Sequence, residues 1–395
     1  MGDEMAEATR EYQRTHPWIS FQLDMQKVGY RLWMLLGEAR SKCEHIAGVP
    51  LRPDVAEELH SLYMAKGAFA TTAIEGNTLT EEQVREHLAG KLKLPPSKEY
   101  LAREIDNIIE VFNLIAARCA AGNAALTPEI IADYNARVLR DLELDEDVVP
   151  GEVRAHSVLV MRYRGAPAPD CPYLLKRLCD WLDALQKQGE SEDRVMFGIL
   201  SAILAHLYLA WIHPFGDGNG RTARLLEFQI LMASGLPQPA THLLSNHYNA
   251  TRAEYYRQLD YASKSGGDVL KFIEYALKGF VEGLRDQLET IRQQQWDIAW
   301  RDFIFRTFKE RHLSNAGDDR RREMALALSA ASAPVPLGKI WMLSPRMAQA
   351  YTAKHERTVQ RDLDVLIALE LVIRTPQGYA ANRDKILQFL PLKCD

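Results

Sequence analysis

The sequence predicts a mainly α-helical protein made of more than one folded part, and three observations lead there. Its 395 residues are more than one small domain holds, at about 100–200 residues per domain. Apolar residues recur with the 3.6-residue helical period over most of the chain, and period-2 alternation is confined to short stretches. Hydrophobic residues make up 47% and charged residues 26%, a balance that excludes wholesale disorder, collagen-like repeats and fibrous architecture.

Taken in order, Phe21, Val28, Leu32, Leu35 and Leu36 open the helical pattern, and residues 55–74, 105–116, 174–185 and 195–209 continue it as amphipathic or buried helices. Residues 157–161 are β-rich and run into a Pro-rich loop at 165–172. They read as a short hairpin whose exposed edge suits pairing with an extended peptide. Residues 267–309 read as one or two long helices, and the polar, Gly-containing stretch 315–322 reads as a linker. Beyond it lie an apolar helix (322–331), a Pro-containing break (333–338), helical patterns at 344–354 and 357–369, and β-like pieces at 371–374 and 378–380. Helix, helix, turn, helix and hairpin is the order of a winged helix-turn-helix. The expected division is therefore 1–120, an N-terminal helical region; 121–285, a helical core with the hairpin; 286–330, a connecting helix and linker; and 331–395, the C-terminal module.

Against 53 acidic residues stand 48 basic ones, a net charge of −5, so the chain as a whole does not coat nucleic acid and any basic surface is local. Five cysteines (Cys43, Cys119, Cys171, Cys179, Cys394) form no C-x-x-C spacing. They suggest neither a disulfide framework nor a structural zinc site, and they fit a reducing cytoplasm. The opening residues lack the basic and apolar regions of a signal peptide. No apolar run is expected to reach the roughly 18 residues that a membrane-spanning helix needs. A cytoplasmic protein without a membrane partner is the expectation.

One stretch carries chemistry: residues 213–224, His-Pro-Phe-Gly-Asp-Gly-Asn-Gly-Arg-Thr-Ala-Arg. An apolar helix runs into His213 and is stopped by Pro214, and a second helix begins near Asn219. Gly216, Gly218 and Gly220 let backbone N–H groups turn inward, and the following helix N-terminus adds partial positive charge, which together suit a phosphate. Arg221 and Arg224, three apart, share a helix face and are placed to clamp a polyphosphate. Asp217 would be repelled by that phosphate unless a cation lay between them, which points to Mg²⁺. His213, with its ordinary pKa near neutrality, suits removal of a proton from an incoming hydroxyl.

These residues match H-P-F-x-[D/E]-G-N-G-R-x-x-R at every defined position, so the chain resembles Fic-domain proteins of the Fic/DOC family, which transfer AMP from ATP onto a protein hydroxyl. The resemblance implies a Fic helical fold with a β-hairpin flap. His213 would be the base that deprotonates a Tyr, Ser or Thr of the target protein, and Asp217 would hold Mg²⁺. Gly216, Gly218, Asn219, Gly220 and Arg221 would surround the phosphates, Arg224 would orient the γ-phosphate, and Phe215 would anchor the loop. Residues 151–154 (Gly-Glu-Val-Arg) with Val158, Leu159 and Val160 resemble the family's flap, which places Val160, Met161, Arg162 and Tyr163 beside the nucleotide. Tyr255 and Tyr256 resemble paired tyrosines bordering adenine and ribose; plain core packing is the alternative for both.

Thr71-Thr-Ala-Ile-Glu75-Gly76 resembles the inhibitory motif [S/T]-x-x-x-E-[G/N] of the same family. The resemblance implies that Glu75 pairs with Arg224 in competition with ATP and holds activity low. Removal of AMP at the same site is a second implied activity. In the C-terminal module, Arg357-Thr-Val-Gln-Arg-Asp-Leu363 resembles a winged-helix recognition helix: Val359, Leu363 and Leu366 face inward, and Lys354, Arg357, Gln360 and Arg361 face out toward DNA or a docking protein. A DNA-binding regulator with a nucleotide-sensing domain is the competing function, and a homodimer is left open.

Overall fold

Prolines and capping side chains set where the helices begin in this computed structural model, which describes residues 10–160, 163–189, 192–352 and 354–387. A short helix α1 (Glu11–Thr15) precedes α2 (Tyr30–Gly48) and α3 (Pro53–Ala73), the last opened by Pro53, whose fixed φ suits a first helical turn. The chain leaves α3 through Gly76 at φ 106°, a left-handed conformation that glycine adopts without steric cost. A Thr80–Gln83 capping box starts α4 (Glu81–Leu88). It is followed by α5 (Glu99–Ala120) and α6 (Pro128–Val138), which Thr127 caps. Strands β1 (Leu159–Val160) and β2 (Tyr163–Arg164) pair antiparallel, with Val160 opposite Tyr163.

Next come α7 (Cys171–Lys187), α8 (Arg194–Ile212), α9 (Asn219–Ala233), α10 (Leu243–Ala250), α11 (Arg252–Lys264) and the long α12 (Leu270–Glu310). Packed against each other, α8 and α9 form the centre of the first unit, with α2 and α7 against α8 and α3, α5 and α6 against α9. Helix α8 corrects one expectation. Its 19 residues have a mean hydropathy of 2.0, long and apolar enough to cross a membrane, yet 78% of that stretch is buried among the other helices. It is apolar on all sides because protein surrounds it.

Contacts divide the chain into two compact units, Met1–Leu288 and Glu289–Asp395, and the sequence of α12 contributes to both. In the second unit, α13 (Ala316–Ser329), α14 (Pro345–Tyr351), α15 (Glu356–Ala368) and an antiparallel pair, β3 (Val372–Thr375) and β4 (Gly378–Ala381), close over one core. Val335 adds a bridge to Tyr379, and α16 (Asp384–Leu387) follows. The stretch expected to link, 315–322, is instead the start of α13: Asn315 accepts from the N–H groups of Gly317 and Asp318. The expected connecting segment 286–330 supplies Trp300, Ile304, Phe308, Met324, Ala325 and Leu328 to the same core as Val359, Leu363 and Leu366. An apolar helix face of that size has to be covered, which makes the segment part of the unit.

Polar groups are paired inside this unit as well. Asp362, 1% exposed, accepts from Arg320 Nε at 2.7 Å, Arg321 Nε at 2.8 Å and Tyr351 OH at 2.7 Å. Burial works against its ionisation, but these donors hold its pKa below the ordinary carboxylate value. Of the predicted outward side chains on and before α15, those of Lys354, Arg357 and Arg361 are exposed. Gln360 is not free: it donates to Asp364 at 2.8 Å and accepts from Tyr379 OH at 3.1 Å.

Candidate active site

Helix α8 ends on His213 with φ 50° and ψ 59°, a left-handed turn that costs a non-glycine residue about 1–2 kcal/mol. Arg154 offsets that strain from the far side. Its Nε donates to the His213 carbonyl at 2.8 Å, its Nη1 to His156 O and its Nη2 to Ala166 O, while its backbone N–H donates to Pro214 O at 3.0 Å. Phe215 is fully buried and bridges to Val153, which anchors the loop by about 1.5–3 kcal/mol of side-chain burial. Asn219 closes the loop on itself, accepting from Phe215 N–H at 3.0 Å and donating to Phe215 O at 2.9 Å.

The three glycines do different jobs. Only Gly218 takes a positive φ, 75°, and Asn135 braces this turn by donating to Asp217 O at 2.8 Å while accepting from Gly151 N–H at 3.0 Å. Gly216 and Gly220 are there for space. A Cβ on Gly216 would lie 2.9 Å from Val148 Cγ2, and one on Gly220 would lie 2.1 Å from Glu75 Oε1. The side chain of Asn219 is committed to the loop, so what this residue and its neighbours offer an anion is the N-terminus of α9.

The two arginines do not act as one clamp. The side chain of Arg224 is fully buried; its Nη2 donates to Glu75 Oε1 at 2.5 Å and to Thr71 O at 2.8 Å, while Nε and Nη1 have no partner among the described residues. Glu75 is 33% exposed; burial raises its pKa, but Arg224 outweighs that and holds it below the ordinary value, as a carboxylate. Arg221 turns elsewhere, to Asp217 Oδ2 at 3.2 Å and Glu104 Oε1 at 3.5 Å. The other oxygen of Glu104 accepts from Asn77 Nδ2 at 2.8 Å, and burial raises the Glu104 pKa. Two buried guanidiniums three residues apart have each taken the nearest carboxylate, because neither can stay uncompensated.

Beside His213 opens a cavity of about 630 Å³. Val160 and Tyr163 of the strand pair form one wall, Trp211, His213, Asn219 and Gly220 the floor, and Tyr256, Leu259, Asp260 and Lys264 of α11 the other wall. Burial, reinforced by Arg154, pushes the His213 pKa down to about 4, so the imidazole is neutral and free to take a proton at pH 7. The expectation of a near-neutral pKa is thereby corrected.

Tyr256 lines this cavity and Tyr255 does not. Successive helix positions point about 100° apart. Tyr255 is buried, its OH 2.8 Å from His206 Nε2 and its ring 4.9 Å from that of Tyr248. Phe215, Gly216 and Gly218 likewise shape the loop from behind. Met161 and Arg162 lie outside the described residues. Among the described residues no group of three or more His, Cys, Asp or Glu side chains is placed to hold a metal, and Asp217, 51% exposed, stands with Arg221 as its one ion-pair partner. The sequence reading left Arg154, Asn135, Glu104, Asn77 and, on the α11 wall, Leu259, Asp260 and Lys264 without a role. Only the G-x-x-R spacing and the Asn after Glu75-Gly76 gave a local sign of any of them.

Residues 125–231 match the Fic/DOC family. The chain is 30% identical over 272 residues to a protein named protein adenylyltransferase fic-1 from Caenorhabditis briggsae, covering 67% of this chain and 47% of that one. It is also 30% identical over 210 residues to protein adenylyltransferase Fic from Nematostella vectensis, covering 53% and 45%. The chain thus spans about half the length of these curated relatives. Among solved structures, a Fic family protein from Desulfovibrio desulfuricans shares the fold with a TM-score of 0.55 at 21% identity, over 90% of this chain and 97% of that one. Residues 134–508 of Fic-1 from Caenorhabditis elegans superpose with a TM-score of 0.54 at 25% identity, covering 67% and 73%.

Proposed function

We propose that this chain, which contains a Fic/DOC family domain, is a protein adenylyltransferase that moves AMP from ATP to a Tyr, Ser or Thr hydroxyl of a protein target, itself included. The observation that carries this reading is a neutral histidine lining a 630 Å³ cavity and, on the helix whose first residues Asn219 and Gly220 line the same cavity, a buried arginine with two donors unpartnered among the described residues. His213 accepts the proton of the target hydroxyl, whose oxygen then attacks the α-phosphorus. The bond from that phosphorus to the bridging oxygen breaks, and pyrophosphate leaves. The N–H groups that open α9 face the phosphates, and Arg224 takes the γ-phosphate once Glu75 has moved away. The β1–β2 edge offers backbone groups to an extended target segment.

Asp217 fits Mg²⁺, which takes one or two carboxylates and fills its shell with phosphate oxygens and water. When bound there it supplies positive charge against the phosphates. In the absence of nucleotide, Glu75 occupies Arg224, so the basal state is inhibited and the brake lies in the same chain. The four cysteines among the described residues are free thiols, which supports a cytoplasmic setting. A second reading attaches to the same carboxylate: ionised and next to the cavity, Glu75 is suited to orient a water for removal of AMP. The exposed Lys354, Arg357 and Arg361, in a unit ordered like a winged helix, support DNA docking, which would show as salt-dependent binding. The test of the main reading is transfer from α-labelled ATP with Mg²⁺ into protein. His213→Ala should abolish the label while ATP binding persists, and undiminished label would refute the assignment.

A further inference from the structure

We infer that a strap near the N-terminus, carrying His16 and Trp18, is a positioning element of the nucleotide cavity, joining its two walls and setting their separation. The inference rests on the nucleotide-binding reading above. The strap is fixed at one end where α7 begins: Tyr12 N–H donates to Asp170 Oδ2 at 2.8 Å, and the Arg10 guanidinium lies 3.6 Å from Asp170 and 4.0 Å over the Tyr173 ring. At its other end Phe21 packs against Trp181 and Tyr208, with ring centroids 5.9 and 5.1 Å away.

Between these anchors the strap meets both walls. His16 is buried, and its Nε2 lies 2.9 Å from the Arg164 carbonyl in β2; a carbonyl only accepts, so Nε2 carries the proton. The rings of His16 and Trp18 stand edge-on to Tyr163, at 6.2 and 6.4 Å between centroids. Tyr163 itself lines the cavity, and its OH donates to Trp211 O at 2.8 Å, two residues before His213. On its other side Trp18 packs against the turn that follows α11. A Cβ on Gly267 would lie 3.0 Å from Trp18 O and 3.2 Å from Trp18 Cβ. Gly267 N–H donates back to Ala262 O at 3.1 Å, so that turn belongs to the helix bearing Tyr256, Leu259 and Asp260. No strap atom needs to touch nucleotide. Its effect is geometric: the strap fixes how far apart the two nucleotide-facing walls stand, so its loss is read in ATP affinity.

The test places Trp18→Ala, Trp18→Phe and His16→Ala in full-length protein carrying Glu75→Gly, and measures ATP affinity by equilibrium dialysis alongside KM, kcat and thermal unfolding. The expected result is a rise in the ATP dissociation constant and KM on the order of tenfold for Trp18→Ala, with kcat at saturating ATP retained and Trp18→Phe restoring affinity. His16→Ala, which removes a donor without emptying an aromatic site, should shift ATP affinity in the same direction. Unchanged ATP affinity in folded Trp18→Ala or His16→Ala protein overturns the inference. Failure of the Glu75→Gly parent to bind ATP would instead overturn the reading on which it rests.

Discussion

Replacing Glu75 by glycine should raise activity and lower stability together. Among the described residues the carboxylate is the one ion-pair partner of Arg224, through Nη2 at 2.5 Å, and the Arg224 side chain is fully buried. A charge-assisted hydrogen bond contributes about 1.5–3 kcal/mol net. ATP has to displace that bond to reach Arg224, so Glu75→Gly should improve productive ATP binding roughly tenfold to a hundredfold. The same change leaves the guanidinium with Thr71 O alone, which should cost about 1–3 kcal/mol of stability without nucleotide. ATP should restore more of the melting temperature in the variant than in wild type, because a phosphate returns the missing counter-charge. Glu75→Gln, which keeps an acceptor without the charge, should fall between the two. The assay pairs incorporation from α-labelled ATP, at matched ATP and Mg²⁺, with thermal unfolding with and without ATP. Equal incorporation by wild type and Glu75→Gly would refute the reasoning, and so would an unchanged melting temperature in the absence of ATP.

Two further outcomes follow from the buried groups. His213 titrates near 4 in the folded chain against an ordinary 6.5, so the acid limb of kcat/KM should fall close to pH 4–5, and a midpoint near 6.5 would contradict the assignment. His242, between Phe112 and Phe228, is pushed down by burial to about 3. In both cases the unfolded chain binds more protons between the two pKa values, so stability should be intact above about pH 6.5 and decline as pH falls through that window toward 4. Denaturant titrations at pH 7 and pH 5 that give equal stability would exclude it. In the second unit, Asp362→Asn puts an N–H₂ group among three donors and should cost about 1–3 kcal/mol there, read as a lowered calorimetric transition with AMP transfer preserved; an unmoved transition would count against it.

Local rules made part of this protein legible in its sequence. Helix period pointed to α3, α5, α7 and α8, Pro214 marked the end of α8, and the spacing of Val359, Leu363 and Leu366 matches a face that is buried. The run from His213 to Arg224 could be read as a helix end, an anion loop and a helix start, because each depends on neighbours within about four residues. Helices α4, α6 and α10 were passed over, being short at 8, 11 and 8 residues, too few turns for a period to stand out.

Partner choice was decided elsewhere. That Arg154 holds the His213 carbonyl from 59 residues away, and that Arg221 takes Asp217 and Glu104 while Arg224 takes Glu75, follows from which helices pack together. The same holds for Tyr255 facing His206 while its neighbour Tyr256 faces the cavity, and for an α8 apolar enough for a membrane yet enclosed by other helices. A buried charge or ring is satisfied by whatever the packing brings within reach, so the sequence by itself determined the chemistry available and only the tertiary structure decided which groups meet.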